Sequence, residues 1–487
     1  MPTVNQIADS DVLGLGGMLS FQLTQAAQKE AGSDILFKTA DGFVWGRADA
    51  AGSPGAFDIR PGGIVVKGTN ITYGADGLPS GGTITSVSVI LDGAAQGNVV
   101  TSSPLFEITG LAIDGVTFRD SFITAFQTGN SVPIENNFFV LPWTYNGSAG
   151  GDFFHGKNLA DTIFGNDGND ELFGAGGNNK LFGGAGDDFL RGGGSGADYL
   201  SGGSGVDVAD YSDSGTSVTV SLTDPTLNTG NAAGDTYNSI ENLRGSTLND
   251  TLHGNAGANT LDGNLGADTL KGLAGNDRLA GSSGDDILIG GLGADTLEGS
   301  DGNDTASYAE AAAGVVASLA NPSINRGEAA GDSYFGVENL TGSGFADQLF
   351  GDNGVNIIAG GGGDDFIKGY GGKDVVSGGA GQDVFIFNSK LNAATNVDAI
   401  TDYNVAADTI HLDNQFFTAL TTLGPLSASA FKNMDLAAID ANDRIIYKQS
   451  TGNLYYDADG SGTAFAAIKF ATITNNADLT NADFVVI

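Results

Sequence analysis

The sequence predicts an all-β fold whose centre is a parallel β-roll in three blocks, flanked by a β-rich N-terminal domain and a C-terminal β cap. Three observations support this prediction. Glycine recurs every nine residues, an acidic or amide side chain occupies the sixth position of each interval, and a large apolar residue occupies the eighth. A fixed nine-residue period is typical of solenoids, in which each short repeat stacks on its neighbours.

Seven consecutive nonapeptides fill residues 245–307 without an insertion and define the repeat most clearly. Their sixth positions are Asp250, Asn259, Asp268, Asp277, Asp286, Asp295 and Asp304. Their eighth positions are Leu252, Leu261, Leu270, Leu279, Leu288, Leu297 and Ala306. The glycine-rich first six residues predict a turn, and the last three predict a minimal strand whose middle side chain points to one face.

Two further blocks continue the same pattern on either side. The first covers residues 156–210 as six nonapeptides with one inserted residue in the fifth, and the third begins at Gly342 and has five. The sixth positions of the first block are Asp161, Asp170, Asn179, Asp188, Asp198 and Asp207. Those of the third block are Asp347, Asn356, Asp365, Asp374 and Asp383.

The repeat geometry predicts a cation site between successive turns on one edge of the roll. Two nonapeptides make one coil, so nonapeptides n and n+2 lie on the same edge, about 4.8 Å apart. Their turns then offer carboxylates and several carbonyl oxygens to each other, which is a ligand set for calcium. Magnesium is less suited because it gives up its waters reluctantly. The fifteen aspartates at the sixth positions are therefore the predicted calcium ligands.

Pairing nonapeptides n and n+2 gives four, five and three candidate sites in the three blocks. Four of these sites contain an asparagine, whose neutral amide lowers the negative charge available to a cation. We expect those four to bind calcium more weakly than the others. They are Asp161/Asn179, Asn179/Asp198, Asn259/Asp277 and Asn356/Asp374.

The nonapeptide is similar to the G-G-x-G-x-D-x-U-x repeat of the repeats-in-toxin (RTX) family, where U is a large apolar residue. The resemblance covers eighteen nonapeptides. It implies a calcium-loaded roll, export by type I secretion machinery, and folding on calcium outside the cell or at its surface. It also implies that the segment after the third block caps the roll. Asp483 and the apolar residues 484–487 resemble an uncleaved secretion signal.

The chain is strongly acidic, with 58 Asp and Glu against 20 Lys and Arg and a formal net charge of −38. Because the acids recur at one position of a repeat, we interpret them as cation ligands rather than as a general solubilising charge. Nucleic acid and anionic membrane are poor partners for this charge. The absence of cysteine excludes disulfides, and we expect neither a cleavable signal peptide nor a membrane span.

The predicted organisation is a series of seven segments. They are a β-rich domain at 1–150, RTX block 1 at 151–210, a spacer coil at 211–244, block 2 at 245–307, a spacer coil at 308–341, block 3 at 342–387, and a cap with the secretion signal at 388–487. The two spacers align at an offset of 97 residues, with Gly234-Asp235 matching Gly331-Asp332 and Glu241 matching Glu338. We infer that one unit of spacer and repeats was duplicated.

Residues 1–150 carry a different pattern, in which β-branched residues alternate with polar ones. It predicts a hairpin of strands 70–73 and 83–90, strands at 105–109 and 111–118, and a helix at 21–30. Several charged residues here could form a site, but isolated surface charges are the simpler interpretation. They are Asp58, Arg60, Glu107, Asp114, Arg119 and Asp120.

No motif supports a zinc protease, a lipase, a nucleotide-binding site or a pore-forming toxin: H-E-x-x-H, G-x-S-x-G and the P-loop do not occur. The predicted function is that of a secreted calcium-binding protein with a structural, matrix or adhesion role. Its predicted partners are calcium ions, the secretion machinery, and cell-surface polysaccharide or other matrix proteins. The alternative is an extracellular polysaccharide-active enzyme, with its active site in residues 1–150 and the repeats as a folding and secretion module.

Overall fold

The computed structural model describes residues 3–6, 35–39, 42–45, 63–73, 79–90, 106–114, 144–460 and 466–487. The chain divides into two compact units, Met1–Arg244 and Gly245–Ile487. Within these described ranges there are strands and short 3-10 helices but no α-helix, and no helix long and apolar enough to cross a membrane. The 3-10 helices are Pro225–Leu227, Gly230–Ala232, Pro322–Ile324, Gly327–Ala329, Ala428–Ala430, Gln449–Thr451 and Asn481–Asp483.

The N-terminal part of the first unit consists of strands. Those described are Thr3–Gln6, Ile35–Thr39, Gly42–Trp45, Gly63–Tyr73, Pro79–Ile90 and Phe106–Asp114. The predicted hairpin is present, but its strands are longer, because Gly63 pairs with Ile90 and Tyr73 with Pro79. The two strands predicted around Gly110 are a single strand that crosses a β-bulge. The helix predicted at 21–30 lies outside the described residues.

The roll of the first unit has two sets of parallel strands. One set is Thr236–Asn238, Tyr199–Ser204, Lys180–Ala185, Thr162–Asp167 and Thr144–Asn146. The other is Asn242–Arg244, Val208–Asp210, Phe189–Arg191, Glu171–Phe173 and Phe153–His155. Thr3–Gln6 joins the first set in parallel with Thr144–Asn146 and pairs antiparallel with Phe106–Asp114. The N-terminal strands therefore continue a sheet of the roll.

The second unit follows the same plan with three sets of parallel strands. The first set is Thr251–His253, Thr269–Ala274, Ile287–Leu292, Thr305–Ser307, Asn339–Thr341, Ile357–Gly362, Val375–Ala380 and Asp398–Ile400. The second is Thr260–Asp262, Arg278–Ser283, Thr296–Asp301 and Ser333–Phe335. The third is Val316–Ser318, Gln348–Phe350, Phe366–Lys368, Val384–Phe387 and Thr409–Leu412. Leu270 pairs with Leu288, so two nonapeptides form one coil, as the sequence predicts.

Apolar side chains at the eighth positions form the core of both units. Successive strand residues point to opposite faces, so only the middle residue of each short strand turns inward. Leu181, Leu190, Leu270 and Leu288 have no solvent-accessible surface. Parallel pairing at an 18-residue interval stacks each of these side chains on its counterpart in the next coil. The expected all-β parallel roll is confirmed.

The roll begins one nonapeptide earlier than the sequence interpretation places it. Residues 147–155 form a turn and a strand: Phe154 pairs with Leu172, and the Gly147 N–H donates to the Phe164 carbonyl oxygen at 2.7 Å. With this addition the first block has seven nonapeptides, like the second. The duplicated unit therefore comprises seven nonapeptides followed by one spacer.

Each spacer is a wider coil that remains paired with the repeats of its own unit. The first spacer contains the strand Thr219–Ser221. A second strand of this spacer, Thr236–Asn238, pairs with the repeat strand Tyr199–Ser204. The second spacer contains Val316–Ser318 and pairs Ser333–Phe335 with Thr296–Asp301. Buried apolar residues, among them Val220 and its counterpart Ala317, extend the core through both spacers.

The C-terminal cap closes the second unit with six short strands that extend two of its sheets through both parallel and antiparallel pairing. Its strands are Gly424–Pro425, Phe431–Asn433, Ile445–Lys448, Asn453–Tyr456, Ile468–Ile473 and Phe484–Val486. Phe417 and Phe470 meet edge to face, with ring centroids 5.1 Å apart. The terminal segment is a buried strand preceded by a capping box of Thr480 and Asp483.

Candidate metal centres

The sixth-position side chains form hydrogen-bonded rows along the turns of the roll. In each row one side-chain oxygen accepts the backbone N–H of the sixth residue one coil earlier. The N–H of Asp250 donates to Asp268 at 2.7 Å, and that of Asp268 donates to Asp286 at 2.8 Å. These side chains are almost completely buried. The backbone geometry therefore aligns the carboxylates and takes up one oxygen of each.

Most row aspartates in the described residues bury their second carboxylate oxygen, Oδ2, without a hydrogen-bond partner, and we call such an oxygen bare. Within the described part of the chain, the following aspartates bury an Oδ2 that has no hydrogen-bond partner: Asp170, Asp188, Asp198, Asp207, Asp268, Asp277, Asp286, Asp295, Asp304, Asp365, Asp374 and Asp383. All twelve belong to the fifteen predicted ligands. A buried charged oxygen without a partner is costly, and a bound cation would remove that cost.

The first-position glycine makes room beside each bare oxygen. A Cβ atom on Gly263 would lie 2.3 Å from Oδ2 of Asp268 and 3.0 Å from the carbonyl oxygen of Gly281. Only a residue without a side chain leaves this space open, and both oxygens face it. Because the same position recurs in every nonapeptide, each row is lined by a carboxylate oxygen and main-chain carbonyls in alternation.

The oxygen set fits calcium better than a transition metal. In the described residues, no group of three or more His, Cys, Asp or Glu side chains lies close enough to hold a metal ion by itself. Main-chain carbonyls must therefore complete the coordination, which suits a hard cation with many oxygen ligands. The residues present fit calcium: each Asp with a bare Oδ2 would supply a charged oxygen, and the turn backbone would supply the neutral ones.

Burial raises the pKa of the twelve row aspartates that carry a bare oxygen, and in most of them neighbouring negative charges add to the shift. Burial, followed by the charges of Asp286 and Asp250, raises the pKa of Asp268 to about 8. Burial is also the main cause at Asp170 and Asp365, whose pKa values are raised to about 7. Hydrogen bonds from the backbone oppose these shifts without cancelling them. The negative charge is therefore unfavourable here until a cation balances it.

The first two turns of each block differ from the others, and we call them closed turns. Their sixth-position side chain accepts the N–H of the second residue of the same turn, at distances between 2.5 and 2.9 Å. They contain Asp152, Asp161, Asp250, Asn259, Asp347 and Asn356. Of the fifteen predicted ligands, Asp161, Asp250 and Asp347 are thus hydrogen-bonded where the other twelve are bare.

The remaining turns with a bare carboxylate oxygen, which we call open turns, have a left-handed second residue. Asn264 has a φ of 75° and Leu273 a φ of 79°. A left-handed residue turns its N–H away from the sixth side chain, so the donor that seals a closed turn is withdrawn. The large side chain of Leu273 makes this conformation unfavourable on its own, which indicates that the stacked coils enforce it.

Asn179 occupies a place in its row where other turns have a bare oxygen. Its Oδ1 accepts the Asp161 N–H at 2.9 Å, and its Nδ2 donates to the Gly192 carbonyl oxygen at 3.2 Å. An amide hydrogen thus points to where a cation would sit. In the other three asparagine-containing pairs the bare oxygen belongs to an aspartate, Asp198, Asp277 or Asp374, and it is retained.

The rows extend beyond the residues that the nine-residue period identifies. The N–H of Asp198 donates to Asp235, and that of Asp295 to Asp332, at 2.8 and 2.9 Å. The second row of each unit ends on the Glu241 or Glu338 carboxylate, and the third block ends on Asp398 and Asp408. Two sequence features could have identified these additional residues. One is the Gly-Asp and Glu-Asn-Leu segments that the two spacers share, and the other is the complete nonapeptide that contains Asp152.

Other polar groups noted in the sequence contribute no comparable site. His253 is half-buried, and burial and the charge of Lys271 lower its pKa. The charged residues proposed for residues 1–150 belong to a part of the chain whose side chains the structure does not describe.

A parallel roll with rows of buried carboxylates facing carbonyl oxygens defines a calcium-binding repeat protein. Comparison with protein families agrees. The model of the RTX calcium-binding nonapeptide repeat (4 copies) matches residues 146–181, 155–190, 174–209, 236–270, 244–279, 271–306, 334–367 and 350–385. The chain therefore carries RTX repeats, and calcium is their ligand. A comparison with curated proteins finds no match.

Proposed function

We propose that the protein is exported by type I secretion machinery and that its repeats fold on calcium outside the cell, where it has a structural, matrix or adhesion role. The observation that carries this proposal is the set of bare, buried carboxylate oxygens in the open turns. Folding without a cation leaves each of them charged and unsatisfied, or requires it to take up a proton. Calcium binding then contributes directly to the free energy of folding.

The same chemistry suits export through a narrow channel. In a cytoplasm that is poor in calcium, the repelling rows of carboxylates favour the unfolded chain, which can be threaded. Extracellular calcium would neutralise the rows and drive folding after release. The cap strands are in register with the last coils of the second unit, so the C-terminal segment can serve both as a transport address and as the end of the fold.

Circular dichroism of the full chain tests this proposal. In excess chelator we expect most of the β-signal to be absent, and we expect calcium to restore it cooperatively while the same concentration of magnesium does not. A full β-signal in chelator would refute calcium-driven folding.

The extracellular role is best tested on producing cells. A matrix or adhesion protein should stay at the cell surface in calcium medium and be released by chelator, together with any polysaccharide it binds. The enzyme alternative requires a catalytic cleft in residues 1–150, and no described contact favours it. Hydrolysis of surface polysaccharide by the purified protein would favour the enzyme over the matrix role.

A further inference from the structure

Two of the row aspartates, Asp235 and Asp332, differ from those in the open turns because protein groups satisfy both of their oxygens. Each lies in a spacer and continues a row of its own unit. Oδ1 of Asp235 accepts the Asp198 N–H at 2.8 Å, and Oδ1 of Asp332 accepts the Asp295 N–H at 2.9 Å. Both side chains are buried. In this first hydrogen bond, which Oδ1 accepts from the preceding residue of the row, both aspartates match those of the open turns.

The second oxygen receives a tyrosine hydroxyl instead of remaining bare. Tyr211 donates to Oδ2 of Asp235 and Tyr308 to Oδ2 of Asp332, each at 2.8 Å. A second tyrosine hydroxyl, of Tyr237 or Tyr334, lies 2.5 Å from the first. Tyr211 and Tyr308 are 2% exposed, so the hydroxyl stays on its carboxylate away from water.

Each spacer also closes on itself through local contacts. Thr229 donates its N–H to the Thr219 carbonyl at 3.0 Å, and Arg326 donates to the Val316 carbonyl at 2.9 Å. Asn228 accepts the Ser221 N–H at 2.8 Å and donates to the Asp235 carbonyl at 3.0 Å. These bonds join residues close in sequence, whereas a nonapeptide depends on the coils on either side of it.

We propose that each spacer is a coil that binds no calcium of its own, in which a tyrosine hydroxyl takes the place of the cation, and that it orders before the repeats and templates their folding. The inference rests on the proposed calcium-driven folding of the repeats and adds where that folding starts. A coil whose buried carboxylate already has two donors gains little from a cation. Once ordered, it presents the backbone and carboxylate edge on which the adjacent nonapeptides can stack.

Hydrogen–deuterium exchange of the full chain, followed across a calcium titration, tests the order of folding. We expect amides in residues 219–243 and 316–340 to become protected at a several-fold lower calcium concentration than amides in the repeats. Protection of spacers and repeats at the same concentration, or of the repeats first, would overturn the inference. Protection of the repeats in excess chelator would instead refute the proposed function on which it rests.

Substitutions then distinguish the effect of losing the Tyr308 hydroxyl from the effect of a general loss of stability. Tyr308→Phe should raise the calcium midpoint of residues 316–340 to that of the repeats. Tyr447→Phe is the matched control, because its buried hydroxyl donates to a carbonyl, that of Ala477, at 2.7 Å. It should leave the order of protection unchanged. An unchanged spacer midpoint in Tyr308→Phe would overturn the inference.

Counting bound ions by native mass spectrometry supplies a second readout. Asp332→Asn should bind as many calcium ions as the unaltered protein, because no ion contacts Asp332. Asp295→Asn, in an adjacent open turn of the same row, should bind one fewer. Loss of an ion in Asp332→Asn would show that the spacer holds calcium, and it would overturn the inference even if Tyr308→Phe does not fold.

Discussion

Asp268 accepts the N–H of Asp250 through one carboxylate oxygen, at 2.7 Å, while its other oxygen is buried without a hydrogen-bond partner in the described structure. Asp250 itself has no such oxygen to offer, because its Oδ2 accepts the Ser246 N–H at 2.5 Å. Two residues of the same repeat position therefore differ in chemistry. The bare oxygen marks the place where calcium would act, and the sealed one marks where the row begins.

Asp268→Asn should raise the calcium midpoint for β-structure several-fold and remove one bound ion, since the amide keeps the acceptor for Asp250 but loses the charge. Asp268→Ala should be worse, because the Asp250 N–H then loses its partner, at a cost of about 1–3 kcal/mol. Asp250→Asn is the control and should change the midpoint little. Circular dichroism in a calcium titration measures all three, and equal midpoints for Asp268→Asn and Asp250→Asn would contradict the assignment.

Asn179→Asp should create a calcium site. The substitution replaces an amide hydrogen that faces the Gly192 carbonyl with a bare carboxylate oxygen, as in the neighbouring open turns. The number of bound ions should rise by one. Asn259→Asp, in a closed turn, should leave the number unchanged, because the Asn255 N–H seals that side chain. Isothermal titration calorimetry can compare the two, and an added ion in both would show that closed turns also bind.

Gly263→Ala should disable the site of Asp268 without changing any charge. The added methyl would stand 2.3 Å from the carboxylate oxygen, in the space that both it and the Gly281 carbonyl face. We expect the calcium midpoint to rise as in Asp268→Asn. Gly344→Ala is the control, since its Cβ would meet nothing within 4 Å. If the two alanine variants titrate alike, the space beside the glycine is not a cation site.

The calcium-free repeats should be more stable at lower pH. Asp268 and Asp365 have folded-state pKa values raised to about 8 and about 7, so the folded chain binds more protons than the unfolded chain from about pH 4 upward. Stability in chelator should therefore fall as the pH rises through this window. In calcium this slope should nearly disappear, because the ion displaces those protons from the folded chain and the unfolded aspartates are also deprotonated in this window. Thermal unfolding at pH 5.5 and 8.5, with calcium and with chelator, measures both slopes.

Removal of residues 445–487 should leave the protein inside the producing cell, whereas removal of residues 1–150 should not. The truncation also removes the cap strands Ile468–Ile473 and Phe484–Val486, so failure to fold must be separated from failure to export. Phe417→Asp provides this control, because it disturbs the buried contact with Phe470 in the cap while leaving residues 445–487 unchanged. Cell and medium fractions are compared by immunoblot, and export of the truncated chain would contradict the assigned address.

The repeat period made the roll, its core and the carboxylate rows predictable from sequence. Which oxygen stays bare was not predictable, because it depends on whether the second residue of the turn is left-handed, and residues as different as Asn264 and Leu273 adopt that conformation. Asp235 and Asp332 were missed for a related reason. They follow their row partners by 37 residues instead of 18, and their tyrosine partners lie 24 residues away.

Alternate nonapeptides lie on opposite edges of the coil, which restricts how such a chain can change in length. Inserting or deleting a single nonapeptide would move every later turn to the other edge, so that the row ending on Tyr308 and Asp332 would exchange places with the row ending on Glu338. A change of two nonapeptides would add or remove a whole coil and preserve both rows. Engineered or evolving versions of this chain should therefore gain and lose length in steps of two repeats, and the two copies of seven are consistent with duplication of the entire unit.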